Sequence, residues 1–374
     1  MSFIYLDYNA TTPIDPRVAE AMTPFLTSGF GNPSSTHMEG RKAKAALEGA
    51  RAKVAGCLGC RTEEVVFTSG GSESNNLAIR GVVEAQGGGH VVTSAVEHPA
   101  VLEVVRALEV EGRIELTVVG VDPRGRVDPA EVVDTLRDDT VLVSLMLANN
   151  EVGTLQPVRE LAEACRSRGV VLHTDAAQAV GKIPVDVADL GIDLLSVAGH
   201  KLYAPKGIGA LYLRDGVRIV PQIRGAGHER GLRAGTENVL LAVGLGTASD
   251  LVHSEVEAEY ERLTRLRDRL VAQLGAGFDA LVEHGDPVRR LPNTASVAFP
   301  GFEASTLLCE LGDEVAASAG AACHADGVHA SHVLDAMGID ADLARATVRL
   351  SVGRLTTSDE IDRAARLIIQ RLNV

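Results

Sequence analysis

Seven short runs rich in β-branched residues recur between residues 65 and 214. They are VVFTSG (65–70), HVVTSAVEH (90–98), IELTVVGVD (114–122), TVLVSLMLANN (140–150), VVLHTDAA (170–177), LLSVAGHK (194–201) and IGALYLR (208–214). Segments with helical spacing and charged outer faces lie between them, at 74–86, 99–111, 128–137 and 158–168. Such alternation predicts an α/β fold with a mainly parallel sheet between helices. In an open sheet of that kind, ligands bind at the carboxyl ends of the strands. Polar clusters stand there: SGGSES, EH, NNE, TDAAQ and GHK. Nearness to water explains any one of them. It does not explain a buried-looking Asp, a His-Lys pair and a glycine cup together.

From about residue 237 the texture changes. A long charged helix, roughly 247–274, precedes a strand-like NTASVAFP (293–300), a helix at 303–311, a Gly/Ala-rich segment at 315–325 and two or three closing helices. The expectation is a large domain over 13–250 and a smaller α+β domain made of 1–12 and 251–374. The chain has no Trp and only 3% aromatics, so aliphatic residues must build the core. A net charge of −14 opposes binding to nucleic acid or an anionic membrane. No apolar run is read as a membrane span, and the start, MSFIYLDYNATTP, is not read as a signal peptide. Five cysteines, odd in number and sparse, point to free thiols and a cytoplasmic setting.

Two charged residues at strand ends need explaining. Asp175 closes VVLHTD and Lys201 closes LLSVAGHK. A buried ammonium or carboxylate is costly unless paired or discharged. Pyridoxal phosphate answers three problems at once. Its phosphate suits the N–H groups where SGGSESNN (69–76) opens a helix, its pyridinium pairs with Asp175, and its aldehyde takes the Lys201 amine as a Schiff base. The plainer alternatives are a helix capped by Ser72 and a simple Asp175–Lys201 ion pair. The three features together favour the cofactor.

Cys323 lies in SAGAACHADGVHASHVL (318–334), a run without helical or strand period, and reads as a nucleophile on a loop. A small packed cysteine is the alternative, and His324, His329 and His332 invite a metal reading that matches no zinc spacing. Cys57 and Cys60 flank Gly59 and read as a helix end, while Cys165 and Cys309 read as core.

LDYNATTP (6–13), GNPSSTH (31–37), FTSGGSESNN (67–76), EHPAV (97–101), LANNEVGTLQP (147–157), HTDAAQAVGK (173–182), GHKLYAPKGIGALY (199–212) and ERGLRAGTENV (229–239) together resemble the NifS/IscS type of cysteine desulfurase, nearly end to end. The resemblance implies a fold-type I pyridoxal-phosphate enzyme, related to class-V aminotransferases and homodimeric. It implies that Lys201 forms the Schiff base, Asp175 binds the pyridine nitrogen and His98 stacks on the ring. Gln178 and Asn150 would lie near the ring oxygen, with Asn150 also near substrate. Gly71, Ser72 and His200 would hold the phosphate, and Thr236 would reach the phosphate of the partner subunit's cofactor. Arg349 would pair with the substrate carboxylate, and Cys323 would take the sulfur as a persulfide, leaving alanine and passing sulfur to a protein acceptor. Two departures stand out. Ala198 and Gly199 stand where many relatives have Ser-Ser before His-Lys, and GAACHAD with VRLSVGRLTT resembles selenocysteine lyases. L-selenocysteine is therefore the alternative substrate to L-cysteine. An aminotransferase with an incidental cysteine, and a metal or iron–sulfur protein using Cys323 and its histidines, are the readings from other classes.

Overall fold

Strands that are apolar on both faces must be covered on both sides. The computed structural model describes residues 3–324 and 327–373, without the side chains of 321–330. After a two-residue strand near the start, β1 (Ile4–Tyr5), each of the seven runs forms a strand shorter than the run itself. These are β2 (Val65–Thr68), β3 (Gly89–Ser94), β4 (Ile114–Val119), β5 (Thr140–Ser144), β6 (Val171–Asp175), β7 (Leu194–Ala198) and β8 (Gly209–Leu213). They make one seven-stranded sheet in the order β2-β8-β7-β6-β5-β3-β4. Only β8 runs against its neighbours. Successive residues point to opposite faces. Leu142, Val171 and Leu194 therefore join one apolar cluster, while Val143, Leu172 and Leu195 join another across the sheet.

The helix Gly71–Gln86 carries the chain from β2 to β3 and lies against β5, β6, β7 and β8. Its first turn therefore opens at the carboxyl ends of the strands. Its N-cap is Gly70, at φ 152°, so Ser72 is the second helical residue and not the cap expected from sequence. Gly70 suits the cap because its φ of 152° is one that side-chain-bearing residues rarely adopt, and β8 passes so close that a Cβ on Gly209 would lie 2.7 Å from the Gly70 Cα.

The remaining strands are β9 (Val282–His284), β10 (Thr294–Ala298), β11 (Val315–Ala316), β12 (Ser318–Ala319), β13 (Ala321–His324), β14 (Gly327–Ala330) and β15 (Thr347–Ser351). Four of them form an antiparallel sheet, β12-β15-β10-β9. Its apolar side packs with Leu266, Leu270, Leu274, Ile361 and Ile368 from two helices. As expected, the first residues join this region: β1 pairs in parallel with β11, Ile4 opposite Val315.

Four expectations are corrected. β15 is absent from the strands read from sequence; its short run becomes a strand between partners at both edges, β10 and β12. The segment around Cys323 forms paired strands, β13 and β14, with Cys323 opposite Val328. Ala and Gly leave no side-chain period there, so backbone pairing was invisible. Cys309 is exposed on the helix Ala304–Leu311 and is not core. Finally, the long helix spans Val239–Gly277, and a stretch of it is long and apolar enough to cross a membrane by length and composition. Part of that stretch is buried against the helix Met38–Leu58, so closely that a Cβ on Gly246 would meet the Ala50 Cα at 2.6 Å.

Candidate active site

The carboxyl ends of β2, β3, β5, β6 and β7 surround a cavity of about 240 Å³. Lys201, Asp175, His98, Gln178, Asn150 and His200 line it, with Gly71 and Ser72 at the helix mouth. Eight residues named from sequence therefore meet in one place. A larger hollow, about 430 Å³, lies elsewhere, between Gly56–Gly59 and Val252–Glu257, and contains none of them.

Each polar wall group is fixed by its neighbours. Asp175, at the end of β6, is buried and accepts hydrogen bonds from Asn75 Nδ2 at 2.7 Å and Ala177 N at 2.9 Å. Lys201 follows β7 in a short 3₁₀ turn. Its Nζ donates to the carbonyl oxygens of Asn9 and Ala10 at 2.6 and 2.8 Å. Burial first and then Arg349 lower its pKa to about 8, against Asp175 and Asp7. The amine therefore keeps a neutral fraction at physiological pH, and its Nζ hydrogen bonds go to backbone carbonyls. The direct Asp175–Lys201 ion pair, the plainer alternative to the cofactor, is not formed.

His98 caps the helix Pro99–Val110, its Nδ1 accepting from Ala100 N at 3.1 Å. Although its side chain is open to solvent at the cavity edge, the protein around it, with Lys201 and His332, lowers its pKa. Burial and then Lys201 bring His200 down to about 4, so its ring is neutral. The first N–H groups of a helix have no partner within it, and Gly71 and Ser72 present theirs at the cavity. Ala198 forms the floor below them and offers no hydroxyl. A serine at Gly199 would need a rearrangement, because its Cβ would sit 2.8 Å from the Ile208 carbonyl oxygen.

Three expected residues are not on this wall. Arg349, on β15, lies behind Asn150: it donates to the Asn150 carbonyl at 3.1 Å, to Asp7 at 2.8 Å and to Ser318 at 2.9 Å. Its Nε is buried without a partner. Thr236 is exposed and away from the cavity. It follows Glu229, which is buried and held by both terminal nitrogens of Arg51 at 2.7 and 2.8 Å. The Cys323 side chain, like those of His324 and His329, lies outside the described residues. His332 donates from Nε2 to the Glu97 carbonyl at 2.9 Å. Among the described residues, no cluster of His, Cys, Asp and Glu could hold a metal.

Sequence reasoning missed Asn75, Asn9 and Lys182. Asn75 stands one turn into the helix opened by the glycines, so helical spacing alone pointed it at the cavity. Asn9 reaches the site by its backbone, which no side-chain pattern reveals.

The model of the aminotransferase class-V family matches residues 4–364. The chain belongs to that family. Its members use pyridoxal phosphate. The chain is 45% identical over 374 residues to a cysteine desulfurase IscS of Anaeromyxobacter sp. (strain Fw109-5), covering 99% of this chain and 92% of that one. A solved NifS-like protein superposes with a TM-score of 0.93 at 38% identity, covering 99% of both chains. A structure of SspA in complex with cysteine superposes at 0.82 with 36% identity, covering 93% of this chain and 98% of that one.

Proposed function

We propose that this chain is a pyridoxal-phosphate-dependent cysteine desulfurase. It removes sulfur from L-cysteine, releases L-alanine, and holds the sulfur as a persulfide on Cys323 for a protein acceptor. The observation that carries the reading is the cavity in which Lys201, its pKa lowered by burial, a buried Asp175 and an open helix N-terminus face one another. That donor set fits the cofactor: an amine for its aldehyde, a carboxylate for its ring nitrogen, and N–H groups of Gly71 and Ser72, with His200, for its phosphate. A Cβ at Gly71 would come within 3.2 Å of the Ala198 Cβ, so the cradle admits only glycine comfortably. The similarity to IscS and to a protein solved with cysteine supports the substrate.

When bound, the cofactor supplies an electron sink for the pair left at the substrate Cα. The chain's residues do the rest. Lys201 Nζ takes the Cα proton, and its lowered pKa suits that task near neutral pH. Asp175 keeps the ring nitrogen protonated and is itself held by Asn75. His98 covers one face of the ring, and Gln178 and Asn150 border the ring oxygen. Arg349 takes the substrate carboxylate with its planar fork, exchanging Asp7 for it. The Cys323 thiolate attacks the substrate sulfur, forming the S–S bond as the C–S bond breaks, with the bonding electrons leaving on carbon. Protonation of that carbon and return of a proton from Lys201 to Cα yield alanine.

In this reading residues 13–250 hold the cofactor, and 1–12 with 251–374 carry Cys323. The working unit is a cytoplasmic homodimer in which Thr236 serves the partner subunit's cofactor phosphate. The test is a visible absorption spectrum of the purified protein before and after cysteine is added, with sulfide and alanine assayed and borohydride used to trap the lysine. A yellow protein labelled at residue 201, releasing alanine and, with a thiol reductant present to discharge the persulfide, an equal amount of sulfide, is expected. A protein that stays colourless when supplied with the cofactor overturns the reading. Turnover of selenocysteine alone reassigns the substrate.

A further inference from the structure

Lys182 has no part in the chemistry above, yet it is 6% exposed and forms no ion pair among the described residues. Its Nζ donates to Gln178 Oε1 at 2.5 Å, four residues back along the chain. Gln178 Nε2 in turn donates to the Asn9 carbonyl at 2.9 Å. Both ends of the Gln178 amide are thus held from outside the cavity. The Asn9 carbonyl can only accept, so it must face Nε2 and the amide cannot flip. One N–H of Nε2 remains, and the open space that Gln178 borders is the cavity.

We propose that Lys182 is a positioning residue, which through Gln178 aims an N–H donor at the ring oxygen of the bound cofactor without touching the cofactor itself. This rests on the pyridoxal-phosphate reading above. A fixed donor at that oxygen stabilises its negative charge and weakens its hold on the proton it shares with the Lys201 imine. The imine then loses its proton more readily. Burial, then Lys201, holds the Lys182 amine well below its usual pKa. A neutral amine keeps N–H groups, so the bond to Gln178 does not need the charge. A buried lysine is otherwise a poor choice, since an apolar residue of similar volume generally packs as well or better.

The experiment titrates the visible band of the holoenzyme against pH in wild type, Lys182→Met, Gln178→Leu and the double variant. Lys182→Met should raise the midpoint by about one pH unit, a tenfold change in proton affinity. Gln178→Leu should raise it at least as much, and adding Lys182→Met to Gln178→Leu should shift it no further. An unchanged midpoint in Lys182→Met overturns the proposal, as do additive shifts, which would show Lys182 acting on the imine by itself. Gln178→Leu leaves Lys182 in place and guards against a misfolded Met variant: an unchanged midpoint there also overturns it. A wild-type protein with no visible band defeats the cofactor reading instead, so the two failures are distinct.

Discussion

The two sheets meet near one cavity and contribute differently to it. The seven-stranded sheet supplies the cavity wall, and its groups are each held twice: Asp175 by Asn75 and Ala177, Gln178 by Asn9 and Lys182, Lys201 by Asn9 and Ala10. The four-stranded sheet brings Arg349 up behind the wall, and its edge strand β12 leads into the pair of strands that carries Cys323. Groups that hold a cofactor gain from rigid strand ends, because small displacements of reacting atoms are costly. The group proposed to meet substrate and later an acceptor is attached outside that frame. In the proposed function, holding would fall to the seven-stranded sheet and carrying to the strand pair beyond the smaller one.

The sharpest way to break this division is to remove one group from each side. Lys201→Ala should abolish the visible band and lower turnover by about 10⁴-fold, the upper end for a positioned acid–base group. Cys323→Ala should lose sulfide release just as completely while keeping the band and its change on adding cysteine. If Cys323→Ala lost the band as well, the two sheets would not have separate tasks. A smaller effect is expected at Arg349→Lys, which keeps charge but loses the fork. KM for cysteine should rise about tenfold with kcat less affected, as steady-state kinetics would show.

The smallest effect tests the rigid frame itself. Glu97 is fully buried beside His98, with Oε1 accepting from Ser94 and Met146 N, and Oε2 without a partner. Burial pushes its pKa up from 4.5 to about 8, so the carboxyl is protonated at neutral pH. A raised carboxyl pKa means the folded chain binds more protons than the unfolded one between those values. Stability from this group therefore falls as pH rises from about 4.5 to about 8. Glu97→Gln removes that loss. Its Tm should match wild type near pH 4.5 and exceed it by a few degrees at pH 8, by calorimetry. Equal pH dependence in both proteins would show Glu97 ionised in the fold.

The strands of the large sheet were legible because residues buried on both faces leave continuous β-branched runs. Asp175 and Lys201 were legible because a charge closing such a run is conspicuous. Less visible were features made by pairing across distance. β15 carries Arg349 inside a short run that becomes a strand only between two partners. Ser72 read as a cap because its side chain suits one, but the chain turns into the helix at Gly70, whose φ of 152° favours glycine. Lys182 sat in a quoted motif without a task, since its side-chain hydrogen bond to the Gln178 amide is a matter of side-chain direction.

The first residues lie at the centre of the finished site. Ile4 pairs with Val315, Asp7 bridges to Ser351, and Asn9 binds Gln178, Lys201, Asn150 and Thr294. During synthesis this segment leaves the ribosome long before its strand partners. Nothing can load at Lys201 in its finished surroundings until Ser351 has been translated, so a product truncated ahead of it would be born without its colour.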